Sequence, residues 1–199
     1  MNRIKRIGLA SICLLTACAA PKQTTLESPI EPTRQTETAR SASTLSSWDI
    51  SGAIAAKGPK KAWTASLNWH QQGANQYQIR LFGPLGGGTV LIEQHGTLVT
   101  YRNGPQTFSS THADDLLQKK TGVRLPVKNL YYWVRGIPAP GAVQSEERDA
   151  QHRLIALHQA GFSIDYTAFT QTGGMSLPSK IRLQGHDVLI KLVIKHWEV

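Results

Sequence analysis

From Trp48 onward, apolar residues recur at every second position. Trp48, Ile50, Gly52 and Ile54 share one face of a first run. In a second run Trp63, Ala65, Leu67 and Trp69 share a face, opposite Ala62, Thr64, Ser66, Asn68 and His70. Tyr77, Ile79 and Leu81 continue the alternation against Gln78 and Arg80. A period of two sends successive side chains to opposite faces, so each run predicts a strand with one wet face and one dry one. Residues 89–94 and 97–102, separated by His95-Gly96, read as a hairpin, and a short strand 106–109 follows Gly104-Pro105.

The middle of the chain changes period. Thr111 is read as the N-cap of a helix with Asp114 and Asp115 in its first turn, Leu116 and Leu117 as its apolar pair, and Lys119, Lys120 and Gly122 at its end. Acids at the start and bases at the end suit the helix dipole. A second short helix starts at Pro126, uses Val127, Leu130, Trp133 and Val134 as its stripe, and stops at Gly136 before Pro138. Neither is long enough to be stable unless it packs on something else. Strands then resume at 153–159 and 162–169 around Ala160-Gly161, with Phe162, Ile164 and Tyr166 on one face, and Ile181 and Leu183 mark another. In the last run, 188–197, Val188, Ile190, Leu192 and Ile194 form one face; Leu189, Lys191, Val193, Lys195 and Trp197 form the other. About ten strands broken by a helical pair predict one antiparallel sheet, curled, with helices over its concave side. If the sheet curls without closing, the space beneath the helices is a site for an apolar ligand.

The first 47 residues follow other rules. A basic head (Arg3, Lys5, Arg6) precedes an apolar run from Ile7 to Leu15, the layout of a cleaved signal peptide over residues 1–17. The run is shorter than the ~20 residues that span a bilayer. Leu15-Thr16-Ala17-Cys18 closes it. Two small residues before a cysteine resemble a bacterial lipobox, which implies a lipidated Cys18 as first mature residue. Ala19 follows where an aspartate would favour inner-membrane retention in such lipoproteins. Residues 18–47, rich in Thr, Ser, Pro and Gln, are expected to act as a lipidated tether that buries no core. A short helix against the domain is expected over 33–45. Residues 48–199 then form one domain.

Charge and cysteines narrow the chemistry. Lys+Arg number 22 and Asp+Glu 13, a formal net charge of +9. The basic residues are scattered rather than run together, which with export argues against a nucleic-acid partner. Both cysteines, Cys13 and Cys18, lie in the leader or at the lipid site, so the fold is expected to hold no disulfide or thiolate metal. The seven histidines show no His-Glu-x-x-His spacing and read as surface or strand-edge residues; His152 and His158 are too far apart to form such a pair. No Gly-x-Ser-x-Gly elbow occurs. The glycines of Gly83-Pro84-Leu85-Gly86-Gly87-Gly88-Thr89 resemble a phosphate loop that lacks its lysine. Asp49, Asp165 and Asp187 cannot be assembled into a carboxylate pair from sequence. No case for catalysis emerges. The same glycine loop holds one large aliphatic residue, Leu85, with few local neighbours. Leu85 either folds back over the sheet edge or projects to touch a membrane.

Several segments together carry a resemblance: the lipobox, Leu67-Asn68-Trp69-His70-Gln71-Gln72, Gly83-Pro84-Leu85-Gly86, Lys120-Thr121-Gly122-Val123-Arg124-Leu125-Pro126, Leu130-Tyr131-Tyr132-Trp133-Val134-Arg135-Gly136-Ile137-Pro138, and the end of the chain with its Trp197. In order and spacing, nearly the whole of 48–199 resembles the LolB family, outer-membrane receptors for lipoproteins. The resemblance implies a mainly β fold with short helices: a single antiparallel sheet curled into an unclosed β-barrel, with a helical lid over an apolar cavity. It implies a lipid-anchored, periplasm-facing monomer on the outer membrane of a Gram-negative bacterium. Such a protein would accept acylated lipoproteins from the soluble carrier LolA and insert them into the inner leaflet, with no catalysis, cofactor or metal. Leu85, flanked by Pro84 and Gly86, matches the family's protruding-loop leucine, although three consecutive glycines, Gly86 to Gly88, follow it here. Trp69, Trp133 and Trp197 match aromatic positions near the cavity, and Trp63 and Phe162 are further candidates. The alternatives are a structural or assembly-factor lipoprotein without a lipid cavity, and a hydrolase with a convergent histidine and carboxylate.

Overall fold

The computed structural model describes residues 42–83 and 88–199. Eleven strands follow in chain order, interrupted by two helices. They are β1 (Ser47–Lys57), β2 (Ala62–Gln72), β3 (Gln76–Phe82), β4 (Thr89–His95), β5 (Leu98–Asn103) and β6 (Gln106–Ser110), then α1 (Ala113–Thr121) and α2 (Val127–Trp133), then β7 (Val143–Arg148), β8 (Leu154–Gln159), β9 (Phe162–Thr172), β10 (Met175–Gly185) and β11 (Val188–Glu198). All pairings are antiparallel, in the spatial order β6-β5-β4-β3-β2-β1-β11-β10-β9-β8-β7. The chain returns between its halves through the β1–β11 pair, and β6 and β7 end the sheet without meeting. This is the expected mainly β, unclosed sheet.

Alternation explains the strands. In β2 burial alternates residue by residue, with Trp63, Ala65, Leu67, Trp69 and Gln71 inward. Tyr77, Ile79 and Leu81 do the same in β3. The last strand departs from strict alternation. Ser51 pairs with His196 but Gly52 with Ile194, so Lys195 is an extra residue in β11. This bulge reverses the facing of everything beyond it, and Trp197 lies buried on the same side as Ile194 rather than on the outer face that a strict period of two assigns. Gly52 makes the bulge possible: a Cβ there would lie 2.0 Å from the Val193 carbonyl oxygen.

Two further expectations need correction. The N-cap of α1 is His112, not Thr111, and no side chain caps the helix. Its other end stops as expected at Gly122, which takes the left-handed conformation (φ 77°) and donates its N–H to the Gln118 carbonyl. An eleventh strand, β7, was not expected. Its sequence Val-Gln-Ser-Glu-Glu-Arg has no alternation, and every residue is exposed. A charged edge of this kind discourages pairing with another chain.

Among the described residues the core is one continuous cluster, from Ala42 to Trp197, running from the inner face of the sheet to the helical pair. A chain that starts at residue 19 keeps every residue of that cluster. The fold also reaches back before β1. Ala42 is buried, residues 42–44 are helical, and Leu45 packs against the core, although composition assigned them to the tether. The expected helix over 33–45 is seen only in those three residues; 33–41 lie outside the described residues.

Candidate functional site

The helical pair bridges the sheet. On one side Leu125, Val127 and Leu130 close over Ile54, Leu67, Trp69, Ile79, Leu81, Ile92, Ile190 and Leu192, leaving a wholly apolar gap of about 30 Å³. Its walls come from β4, β3, β2, β1 and β11, five neighbouring strands. On the other side Trp133, fully buried, reaches β8 and β9. Its Nε1 donates to Gln159 Oε1 at 2.9 Å and its ring meets Phe162 edge-on, centroids 5.6 Å apart. Gln159 also accepts from the Ala139 N–H and donates to the Ala139 carbonyl, which pins the segment leaving α2 to β8.

A second clamp holds the entering chain. Arg135 is buried, and among the described residues no carboxylate pairs with it. Its Nε donates to the Tyr131 carbonyl at 2.9 Å, and its Nη1 donates to the carbonyls of Ala42 and Leu45. The guanidinium lies 4.1 Å from the centre of the Tyr131 ring and 5.4 Å from that of Tyr132. Burial pulls its pKa below the ordinary guanidinium value, while Tyr131 and Tyr132 work in the opposite direction. Backbone carbonyls and ring faces thus take the place of an acid.

The five aromatic candidates fall into two groups. Trp69 and Trp197 belong to a cluster centred on Trp48, whose ring is 4.9 Å from Trp69 and 5.5 Å from Trp197. Trp69 lines the gap, and its Nε1 donates to Gln71; Trp197 Nε1 donates to the Pro178 carbonyl. The others lie apart from that cluster: Trp63 near the start of β2, Phe162 at the start of β9, and Trp133 at the end of α2 against Phe162. Trp63 Nε1 donates to the Thr121 carbonyl and ties the end of α1 to β2. Trp48, at the centre of the first group, was read only as a strand-face residue. Its indole N–H has no partner among the described residues, nor have the buried hydroxyls of Tyr77 and Tyr166, whose pKa values burial raises. Cys18, Pro84, Leu85 and Gly86 lie outside the described residues. The base of their loop is closed by the Gly83 N–H donating to the Gly88 carbonyl at 2.9 Å.

Polar groups lie elsewhere. All seven histidines are exposed. His70 is 2.8 Å from Asp49 in a polar groove on the outer face, and among the described residues the neighbouring Ser51 makes no hydrogen bond to it. Asp165 is engaged by Arg182. Among the described residues no cluster of His, Cys, Asp and Glu is arranged to hold a metal, and no helix is long and apolar enough to cross a membrane.

A family model described as "Outer membrane lipoprotein LolB" matches residues 46–197, the whole sheet with its helical pair. The chain belongs to the LolB family. Within it, the outer-membrane lipoprotein LolB of Coxiella burnetii (strain RSA 493) is 38% identical over 78% of this chain and 74% of its own. Those of Stutzerimonas stutzeri and Pseudomonas syringae pv. syringae are 36% and 34% identical, covering 100% and 96% of this chain and 97% and 94% of theirs. Among solved structures, a DUF1329 family protein from Desulfovibrio piger shares the fold at 7% identity, covering 83% of this chain and 90% of its own with a TM-score of 0.51. A LolA superfamily protein from Nitrosomonas europaea aligns over 83% of this chain and 93% of its own at 10% identity, with a TM-score of 0.47. Membership in LolB places this domain in lipoprotein localisation to the outer membrane, a trafficking role and not that of a known enzyme family.

Proposed function

We propose that this domain accepts acylated lipoproteins from a soluble periplasmic carrier of the LolA kind, shelters their acyl chains beneath the helical pair, and releases them into the inner leaflet of the outer membrane. It acts as a monomer tethered through a lipidated Cys18. The observation that supports this most directly is the apolar gap under Leu125, Val127 and Leu130. Acyl chains exposed to water cost about 0.8 kcal/mol per methylene, so a handover must pass from one dry compartment to another. The gap itself, about 30 Å³, has room for a few waters at most and none for an acyl chain. Chains therefore enter only as the helices lift, and two short helices held by packing and a few side-chain hydrogen bonds are suited to that. On this reading Trp63, Trp69, Trp133, Phe162 and Trp197 line the widened space.

The loop of Pro84, Leu85 and Gly86 is assigned to release. A leucine buried in lipid gains about 1.5–3 kcal/mol, enough for a transient contact by a protein that is already tethered. Leu85→Glu is expected to leave the melting temperature and cargo uptake unchanged while slowing delivery of a labelled lipoprotein into liposomes by roughly 10–100-fold, the equivalent of that lost burial. Delivery at the wild-type rate would remove Leu85 from the mechanism.

A further inference from the structure

The two ends of the sheet differ in charge. At one rim the β1–β2 loop, the β10–β11 turn and the end of α1 come together. Lys57 pairs with both Ala62 and Leu189, and a Cβ on Gly58 would lie 2.9 Å from the Gly122 carbonyl oxygen. Lys57, Lys60, Lys61 and, in the last turn of α1, Lys119 are all exposed. None of the four forms an ion pair among the described residues. The acid in these turns is Asp187. The turns of the opposite rim, residues 73–75, 96–97, 149–153 and 173–174, contain no lysine, and their Asp149 and Arg153 neutralise each other at 2.6 Å. Beside the lysines lies an open depression of about 820 Å³, bordered by Lys57, Pro59, Arg182, His186 and Asp187. Phe82, 39% exposed, ends β3 on the same rim.

We propose that this rim docks on the anionic phospholipid headgroups of a membrane, with the four lysines supplying the charge and Phe82 an apolar contact. The inference rests on the reading that the domain delivers chains to a bilayer. Exposed lysines clustered on one rim, beside a single arginine already engaged by Asp165 and without a surrounding aromatic patch, suit a fluid charged surface; specific protein interfaces favour Arg, Tyr and Trp and are depleted in Lys. Geometry allows it as well. β1 starts on the opposite rim, so an anchored domain must turn its 11-residue strands, about 36 Å long, end over end. With residues 42–45 held against the fold, the 23 residues from 19 to 41 reach at most about 80 Å, which still exceeds the length of the strands.

The test uses residues 19–199, which include every core residue from Ala42 to Trp197, with vesicles of phosphatidylcholine alone or mixed with phosphatidylglycerol. Binding is expected only to the anionic vesicles and should fall as salt is raised. Each lysine contributes roughly fivefold, so Lys57→Gln/Lys60→Gln/Lys61→Gln should weaken binding on the order of 100-fold. The corresponding triple arginine variant should retain it. Lys180→Gln/Lys191→Gln/Lys195→Gln removes equal charge from the outer sheet face and should have little effect. Equal loss in both glutamine variants would overturn the proposal, as would equal binding to both vesicles. So would a rim variant that binds vesicles normally but no longer captures an acidic protein. Cargo uptake from the carrier in solution, measured on the same variants, should not change. A wild-type chain that binds anionic vesicles yet takes up no cargo would instead refute the delivery reading.

Discussion

Trp133→Ala should lower the melting temperature by roughly 10–20 °C, the largest effect expected of any single substitution considered. Truncating a buried Trp costs about 3–5 kcal/mol in lost contacts and residual cavity. Here Gln159 Oε1 also loses the indole donor, although it keeps the Ala139 N–H. The partly unpaired amide adds about 1 kcal/mol. For a domain of this size each kcal/mol corresponds to about 2–4 °C. Trp133→Phe separates the two contributions: it fills most of the space but cannot donate, and should cost about 1–3 kcal/mol. Because Gln159 also holds Ala139, the segment after α2 should show faster amide exchange in both variants. A melting temperature within a few degrees of wild type for Trp133→Ala would mean that the helical pair is not fastened to β8 and β9 as described.

Arg135→Met comes second. Methionine fills the space of the aliphatic stem but leaves the carbonyls of Tyr131, Ala42 and Leu45 without their donor. Hydrogen bonds to a charged group are worth about 1.5–3 kcal/mol each, but relief from burying the charge offsets part of that, so a net loss of about 2–4 kcal/mol is expected. The diagnostic readout is local. Amide exchange should accelerate in residues 42–48 while the β8–β10 half of the sheet stays protected. Uniform acceleration across the sheet would contradict the assignment of Arg135 as the clamp on the entering chain.

Much of this architecture was legible in the chain because a sheet with one dry face writes a period of two into its sequence. Trp63 to Trp69 and Tyr77 to Leu81 lie as that period requires. Both helices lie where their stripes put them, the first ending at its glycine, Gly122, and the second at Trp133, short of the expected stop at Gly136. What escaped had no periodic signature. The Lys195 bulge is a single inserted residue whose only trace is Gly52 on the neighbouring strand, and without it Trp197 was assigned to the wrong face. β7 is exposed along its length, so no burial shaped its sequence. Arg135 stands among apolar residues, and two of its partners are backbone carbonyls about 90 positions away, which no side-chain pattern encodes. The aromatic candidates were found as residue types, but their division between the Trp48 cluster and the Trp133–Phe162 contact depends on strand register.

The central claim is that the helical pair lifts to admit acyl chains that the closed gap is too small to hold. Its most direct test mixes residues 19–199 with carrier loaded with a radiolabelled triacylated lipoprotein and separates the two proteins by size. The account predicts that the label moves to this chain and remains soluble with it. Label that stays on the carrier, with this chain folded and in excess, would contradict it.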